Sequence, residues 1–270
     1  RWFCSAVIND QQGGYPVSET KVYLLDGGSL VIDGFHIYWN RGPGGEVRFP
    51  CFSVLVDHPE GKFLFDTGFD KEHVEAVLPF EKPMQTDEQT IPGALGLIGV
   101  DPSEITHVVN SHYHFDHCGG NKFLTNAKTL CHKAELEASR SPQPFENLGY
   151  SDKAFDVAGD IYTPTYELLE GDVEIAKGVR LIETPGHTAG HYSMLVELNG
   201  RRPMLFTADA CYTHQSMEMN CIASFHLDPV SSVNSLDVLR SVAEDHDAEM
   251  FFSHDAESYE GYVKAPGYYA

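Results

Sequence analysis

The stretch SHYHFDHCGGN at residues 111–121 is the part of the sequence whose residue types and spacing most clearly suggest chemistry. It places four potential metal ligands close together, at positions His112, His114, Asp116 and His117. Imidazole nitrogens and carboxylate oxygens are ligands that Zn²⁺ and similar divalent ions accept. The first two histidines are two positions apart after an apolar run, so in an extended backbone their side chains can point the same way. The pattern predicts a metal site.

Three further candidate ligands lie later in the chain, each just after an apolar run. His187 ends the sequence TPGH, Asp209 follows MLFTA, and His254 follows MFFS. Short apolar runs of this kind predict buried strands. Strand ends that gather at one edge of a fold can bring distant residues together, so these three side chains are expected to join the histidine-rich loop in a two-metal site.

The elements that must position these side chains are mostly short strands. We predict strands at residues 21–26, 52–57, 62–66, 106–110, 127–131, 179–183, 192–198, 203–207 and 249–253. Gly27-Gly28 is expected to stop the first strand, residues 39–50 and 140–167 are expected to be loops, and helices are expected at 133–139 and 232–245. The strands fall into two halves, each followed by helix, which is typical of two packed sheets with helices outside.

Composition narrows the class of protein. The 270 residues are enough for one large domain, and we expect a lead-in at residues 1–20 and a single domain at 21–270. The formal charge of −22 argues against nucleic acid as a partner, because phosphate binding needs clustered Lys and Arg. We find no apolar run that would span a membrane and no leader pattern, so we expect a cytoplasmic protein. Its six scattered cysteines favour reduced thiols.

The motifs together resemble the metallo-β-lactamase superfamily over residues 21–255. The resemblance rests on HxHxDH, PGHTAGH at residues 185–191, the isolated Asp209 and the sequence SHD at residues 253–255. It implies an α+β fold, an αββα sandwich of two mixed β-sheets flanked by helices, with two Zn²⁺ ions per chain. The implied ligands are His112, His114 and His187 for one ion, Asp116, His117 and His254 for the other, and Asp209 as the bridge. The sequence FDTG at residues 65–68 resembles the family motif whose Asp supports these ligands.

Such a site predicts a hydrolase. Two ions about 3.5–4 Å apart can hold a bridging water and lower its pKa toward 7. Esters, lactones, thioesters and phosphoesters are all suitable substrates for that chemistry. Tyr212, three residues after Asp209, resembles the tyrosine of the superfamily's lactonases. We therefore expect Tyr212, Asp116 and Asp209 to be catalytic. His191 and Ser111 either orient the ligands or only pack beside them.

Segments outside the metal motif resemble the 4-pyridoxolactonases of vitamin B6 degradation. They are VYLLDGGSL at residues 22–30, YWNRGPGGEVRFP at 38–50, LPFEKP at 78–83, QTIPGALGL at 89–97 and SPQPFENLGYSD at 141–152. The resemblance implies that a metal-bridged hydroxide opens 4-pyridoxolactone, giving 4-pyridoxic acid. Side chains that could contact a flat pyridine ring are Trp39, Arg48, Phe49 and His226.

Several other functions are compatible with the same motifs. An N-acyl homoserine lactone lactonase, as used in quorum quenching, shares both HxHxDH and the tyrosine, but it needs an apolar channel that the polar Gly/Pro-rich loops disfavour. A glyoxalase II-type thioesterase would need an additional substrate-binding region. An iron persulfide dioxygenase on the same fold uses one redox metal, which the complete second ligand set argues against. A small-molecule lactone is therefore the expected partner, and the sequence leaves the oligomeric state open.

Overall fold

Two mixed β-sheets form the centre of the part of the chain that the computed structural model describes, residues 20–150 and 164–270. The strands are β1 Lys21–Asp33, β2 Glu46–His58, β3 Gly61–Phe65, β4 His107–Val109, β5 Lys128–His132, β6 Thr165–Leu169, β7 Val173–Ala176, β8 Val179–Glu183, β9 Tyr192–Val196, β10 Met204–Phe206 and β11 Glu249–Phe251. One sheet has the order β1-β2-β3-β4-β5-β6 and the other β11-β10-β9-β8-β7. Each sheet contains both parallel and antiparallel pairs.

Helices connect the strands, and some of them cover the outer faces of the two sheets. They are α1 Gly34–Ile37, α2 Lys71–Val77, α3 Ile91–Leu97, α4 Phe115–Cys118, α5 Lys133–Arg140, α6 His214–Met219, α7 Pro229–His246 and α8 Ala256–Gly261. Residues of α3 pack on the first sheet and residues of α7 on the second. The predicted αββα sandwich of the metallo-β-lactamase type is therefore confirmed.

Alternating apolar side chains explain why the sheets pack in this way. Phe63 and Phe65 of β3 lie in the cluster between the sheets, whereas Leu64 lies in the cluster beneath α3. In β10, Phe206 belongs to the cluster between the sheets, while Leu205 packs toward α7. Because successive side chains of a strand point to opposite faces, strands buried on both faces read as continuous apolar runs.

The first two strands are longer than the sequence predicts. Gly27 and Gly28 do not stop β1, and that prediction is wrong: the glycines form a bulge, with a register shift between Asp26 and Ser29. A Cβ atom on Gly27 would lie 2.9 Å from the carbonyl oxygen of Cys51, so the close approach of β2 requires glycine there. The partner strand β2 begins at Glu46, inside the predicted loop.

The sequence also makes predictions about membrane spans, cysteines and the division into domains. None of the helices within residues 20–150 and 164–270 combines the length and apolar character needed to cross a bilayer. The five cysteines of these ranges are buried free thiols, and Cys4 lies outside them. Most of the predicted lead-in and the middle of the predicted loop 140–167 also lie outside the described residues. The division into a lead-in and one domain stays a prediction.

Candidate metal centre

The predicted metal ligands converge at one edge of the sandwich, where strands from both sheets end. The loop after β4 carries four of them, and the segments after β8, β10 and β11 carry His187, Asp209 and His254. All these side chains lie in the interior, and even the Asp116 side chain is only 10% exposed. The backbone before Asp209 is strained, because Ala208 has φ +42°, a left-handed conformation that non-glycine residues rarely adopt.

One group of nitrogens surrounds His187. Its Nε2 atom lies 3.2 Å from Nε2 of His112 and 3.0 Å from Nδ1 of His114. Oδ2 of Asp209 lies 3.3 Å from Nε2 of His187 and 3.8 Å from Nε2 of His112. Three imidazoles and one carboxylate oxygen therefore face a common point.

A second group lies on the other side of Asp209. Its Oδ1 atom is 3.2 Å from Nε2 of His117 and 3.0 Å from Nε2 of His254. Oδ2 of Asp116 lies 3.7 Å and 3.6 Å from the same two nitrogens. Because each oxygen of Asp209 faces a different group, this carboxylate has the geometry of a bridge between two sites.

The outward ring nitrogens of four histidines are held by other groups. At distances of 2.6–3.0 Å, the Nδ1 atoms contact Ser111 Oγ for His112, Asp66 Oδ2 for His117, the Phe225 carbonyl for His187 and the Pro50 carbonyl for His254. A carbonyl or carboxylate can only accept, and the Ser111 hydroxyl uses its own proton to donate to Asp66, so these rings carry a proton on Nδ1. Their Nε2 lone pairs then point inward, as in metal-ligating histidines.

This donor set fits divalent cations. Nε2 of His117 and Oδ1 of Asp209 are buried, and among the described residues neither atom has a hydrogen-bond partner. Burial lowers the pKa of His114 and of His187 to about 3, so both rings are neutral, the form that binds metal. The ring nitrogens of His112, His114 and His187 that meet here lie 3.0–3.2 Å apart, close enough to share one cation. The residues present thus satisfy the ligand chemistry of two zinc-type sites.

Asp66, Ser111 and His191 hold the ligands in place. Asp66, with φ +58°, accepts hydrogen bonds from the Ser111 backbone at 2.7 Å and from the Ser111 hydroxyl at 2.8 Å. The same carboxylate contacts His117. Nε2 of His191 accepts the backbone N–H of Asp209 at 3.0 Å, while its Nδ1 contacts Thr184. Ser111 and His191 therefore have orienting contacts.

Tyr212 lies beside the bridging carboxylate. Its hydroxyl hydrogen-bonds to Asp209, and its ring centroid is 4.8 Å from that of His254. Burial, reinforced by the negative charges of Asp209 and Asp116, holds the pKa of the phenol well above its usual range. The hydroxyl is therefore protonated at neutral pH and can donate a hydrogen bond or a proton.

A pocket of about 290 Å³ opens onto the two groups. Its floor includes Asp116, Asp209 and Tyr212, and its walls are largely apolar. The wall residues include Ile32, Phe49, Leu78, Phe80, Glu81, Phe115, Phe145, Glu146, Leu148, Phe225 and His226. A ligand in this pocket would contact both the metal groups and the aromatic rings.

Two of the four predicted substrate contacts reach this wall, and two do not. Phe49 and His226 line the pocket. Arg48 lies outside the lining: its guanidinium donates to the Ser29 hydroxyl at 3.1 Å and to the Lys82 carbonyl at 3.2 Å, so it holds the pocket's edge. Trp39 packs edge-on against His226 at 4.5 Å and supports the wall from behind. The predicted direct contacts of Arg48 and Trp39 stay predictions, and in this structure both side chains have partners outside the pocket lining.

The sequence pattern did not indicate three further polar residues of the site. The Sγ atom of Cys51 lies within 4.8 Å of ligand atoms of Asp116 and His254, and burial raises the pKa of this thiol. Glu81 and Glu146 line the pocket. Only their place in segments flanking the site, LPFEKP and SPQPFENLGYSD, could have drawn attention to the two glutamates. Cys118 and Cys211 are buried in apolar clusters, as expected of small apolar side chains.

Comparisons with known proteins agree with this geometry. The family model of the metallo-beta-lactamase superfamily matches residues 47–254. The N-acyl homoserine lactonase AttM of Rhizobium radiobacter is 31% identical, covering 94% of this chain and 100% of its own length. An N-acyl homoserine lactonase from a Bacillus species is 30% identical, covering 92% of this chain and 98% of its own.

Solved structures show the same likeness. A variant of AiiA from B. thuringiensis, with N-decanoyl-L-homoserine bound at its active site, superimposes with a TM-score of 0.81 at 28% identity. The match covers 92% of this chain and 98% of that one. AidC, described as a dizinc quorum-quenching lactonase, has a TM-score of 0.68 at 19% identity, covers 94% of each chain and shares the fold.

Proposed function

This chain belongs to the metallo-β-lactamase superfamily and is a metal-dependent hydrolase of lactone ester bonds, and we propose that its substrates are N-acyl homoserine lactones. Lactonases of that class match almost the whole chain. The observation that carries the proposal is the pocket, whose floor is the Asp209 bridge with Tyr212 beside it and whose walls are apolar. The polar lactone ring fits the floor, and an acyl chain fits the walls.

We assign two Zn²⁺ ions per chain to the centre. One would be held by His112, His114 and His187, the other by Asp116, His117 and His254, with Asp209 shared. Zinc ions in these positions would supply Lewis-acid chemistry, a lowered water pKa and a polarised carbonyl group. Metal analysis of the purified protein tests this assignment, since an iron persulfide dioxygenase would contain a single iron instead.

The chain's own residues supply orientation and a proton. The hydroxyl of Tyr212 is positioned to donate to the carbonyl oxygen or to the alkoxide that leaves when the ring opens. His191 and Asp66 hold the ligands from behind, so the floor is already arranged before the substrate arrives. The aromatic rings of Phe115 and Phe225 add apolar surface to the pocket beside the metal ligands.

The pocket walls are apolar, so the predicted polarity of the surrounding loops no longer counts against acyl substrates. The sequence predicts polar loops around the site, which would disfavour an acyl chain. In the structure, however, Phe80, Phe145 and Leu148 line the pocket while remaining 58%, 69% and 61% exposed. An apolar chain longer than the pocket can therefore continue over these side chains at its mouth.

A second candidate substrate is 4-pyridoxolactone. The wall includes Leu78, Phe80 and Glu81 from LPFEKP, and Phe145, Glu146 and Leu148 from SPQPFENLGYSD. These are segments in which the sequence resembles the 4-pyridoxolactonases. The cavity of about 290 Å³ is also just below the usual range for ligand pockets, roughly 300–1,000 Å³, which favours a compact ring.

One assay separates the two candidates. The zinc-loaded protein is given N-hexanoyl and N-decanoyl homoserine lactones and 4-pyridoxolactone in parallel, and ring opening is followed by acid release. We expect the acyl lactones to be opened with the higher kcat/KM. Preferred opening of 4-pyridoxolactone would transfer the assignment to the second candidate. Failure to open any of the three would refute the proposed function.

A further inference from the structure

Two carboxyl groups line the pocket in addition to those of the metal centre. They belong to Glu81 and Glu146. Oε2 of Glu146 accepts the backbone N–H of Gln143 at 3.1 Å, so this side chain partly serves its own loop. Among the described residues, no hydrogen bond or ion pair engages the carboxyl group of Glu81. The Glu81 side chain is half-buried, and a carboxylate held against an apolar wall without a donor loses part of its hydration, so a ligand that offers a donor would stabilise it.

The turn that carries Glu81 is fixed. It is a 3-10 helix, Pro79–Glu81, that ends at Lys82 in a left-handed conformation with φ +45°. The Lys82 side chain pairs with Glu46, and Arg48 donates to the Lys82 carbonyl at 3.2 Å. The next residues are tied to β1 by paired backbone hydrogen bonds of 2.9 Å between Met84 and Ser29. The carboxyl group is therefore held at the wall before any ligand binds.

The surroundings of Glu81 disfavour its charge. Burial, with a further contribution from the negative charge of Asp116, raises the pKa of Glu81 to about 7. A hydrogen-bond donor or a positive charge in the pocket would relieve this cost. Leu78 and Phe80 beside it on the wall offer neither from their side chains, and His254 offsets the effect of burial only in part.

We propose that Glu81 determines substrate specificity by accepting a hydrogen bond from an N–H group of the lactone substrate. This inference rests on the proposed function. The lactone group itself has only acceptor oxygens, which a carboxylate repels, so the partner must lie in the remainder of the substrate. Both candidate substrates have such a group: the amide N–H of an acyl homoserine lactone, or the ring N–H⁺ of a protonated pyridine.

Discrimination follows from this arrangement. A lactone without an N–H group would cover the half-buried carboxyl of Glu81 without giving it a hydrogen bond, and sites built around a hydrogen bond reject such analogues. Removing the carboxyl should therefore weaken turnover of N–H lactones while leaving simple lactones as good or better substrates.

The experiment compares Glu81→Ala and Glu81→Gln with the wild type on three zinc-loaded assays. The substrates are γ-octalactone, which has no N–H group, N-hexanoyl homoserine lactone and 4-pyridoxolactone. Glu72→Gln, an exposed carboxyl on α2 away from the pocket, is the matched control. Glu146→Gln tests whether the second wall carboxyl has the role instead.

We expect Glu81→Ala to lower kcat/KM for the N–H lactone that the wild type prefers by roughly 10- to 100-fold, mostly through KM, and to spare γ-octalactone. The glutamine variant retains an acceptor, so it should lose only a few-fold on a neutral amide but as much as alanine on a cationic ring. Binding of N-hexanoyl homoserine lactam, measured by calorimetry, should weaken in parallel without any turnover.

Other outcomes are equally informative. Equal losses on all three substrates would overturn the proposal, because they would indicate a structural role for Glu81. Selective loss in Glu146→Gln alone would assign the acceptor to the other carboxyl. If the wild type opens no lactone, the proposed function fails, and unchanged lactam binding in Glu81→Ala would then overturn this inference separately.

Discussion

Substitution of Gly149 by alanine tests whether the position of His114 matters for metal binding. Gly149 lies on the pocket wall against the imidazole, and its N–H and carbonyl bond to Glu146 and Phe115. A Cβ atom at this position would lie 2.6 Å from Cδ2 and 2.7 Å from Nε2 of His114. The backbone of Gly149 does not have a positive φ, so alanine would be tolerated there but for this contact.

The size of the effect follows from the clash. The ring would have to retreat by about 0.8 Å to reach ordinary contact at 3.4 Å. Distances between a metal and its ligands vary by only about 0.2 Å, so a shift of the His114 ring by about 0.8 Å would displace it as a ligand in the group around His187. Disturbing the groups that orient a ligand typically costs 10- to 100-fold in metal affinity, so we expect a loss of about 10-fold or more.

Zinc affinity is measured by competition with a chromophoric chelator, together with lactone turnover and thermal unfolding. Gly96→Ala is the matched control, because a Cβ atom on Gly96 of α3 meets nothing within 4 Å. It should bind zinc normally and unfold at the same or a slightly higher temperature, since alanine favours helix. If Gly149→Ala kept wild-type zinc affinity and turnover, the reasoning about His114 would be refuted.

Three other outcomes are expected. Asp209→Ala should lose zinc and turnover, measured by metal analysis; normal zinc content with full activity would remove the bridging assignment. Tyr212→Phe should keep its zinc but turn over more slowly, by roughly 100-fold or less, as expected when a proton donor is lost. Glu135→Gln should unfold more easily, by about 1–3 kcal/mol in denaturant titrations, because an amide cannot accept from both Tyr113 and Gly190. Burial raises the pKa of Glu135 from its ordinary value of 4.5. Protonation of Glu135 therefore stabilises the folded state fully below pH 4.5, and this contribution is lost as the pH rises through the raised pKa. The free energy of unfolding of Glu135→Gln should lack this pH dependence.

Much of the metal centre could be predicted because its residue types are unusual and local. The cluster at residues 112–117 needs only the short strand β4 to aim it, and apolar runs mark β8, β10 and β11. The polar groups that support it are less visible. The contact of His254 with the Pro50 carbonyl depends on how the two sheets pack, which no local pattern contains.

The strand boundaries and the pocket show where sequence reasoning reached its limit. Gly27 and Gly28 have the composition of a turn, yet the close approach of β2 makes them a bulge within a long strand. β7, four residues long, carries too few residues for its alternation to be recognised. Arg48 has the charge of a substrate contact, but the position of Lys82 determines what it binds. Residues of the wall are fixed by such tertiary neighbours.

The ligands of the centre come from both halves of the sandwich. His112 and His114 follow a strand of one sheet, while His187 and His254 follow strands of the other. Ions bound by both sets would fasten the two layers together at their open edge and would bind the folded chain in preference to the unfolded one. Free zinc at a hundred times its dissociation constant would add about 2.7 kcal/mol to the free energy of unfolding. The lifetime of the folded protein would therefore depend on the zinc concentration around it. Removal of zinc by a chelator would expose the loops that carry the ligands to proteases before the rest of the chain.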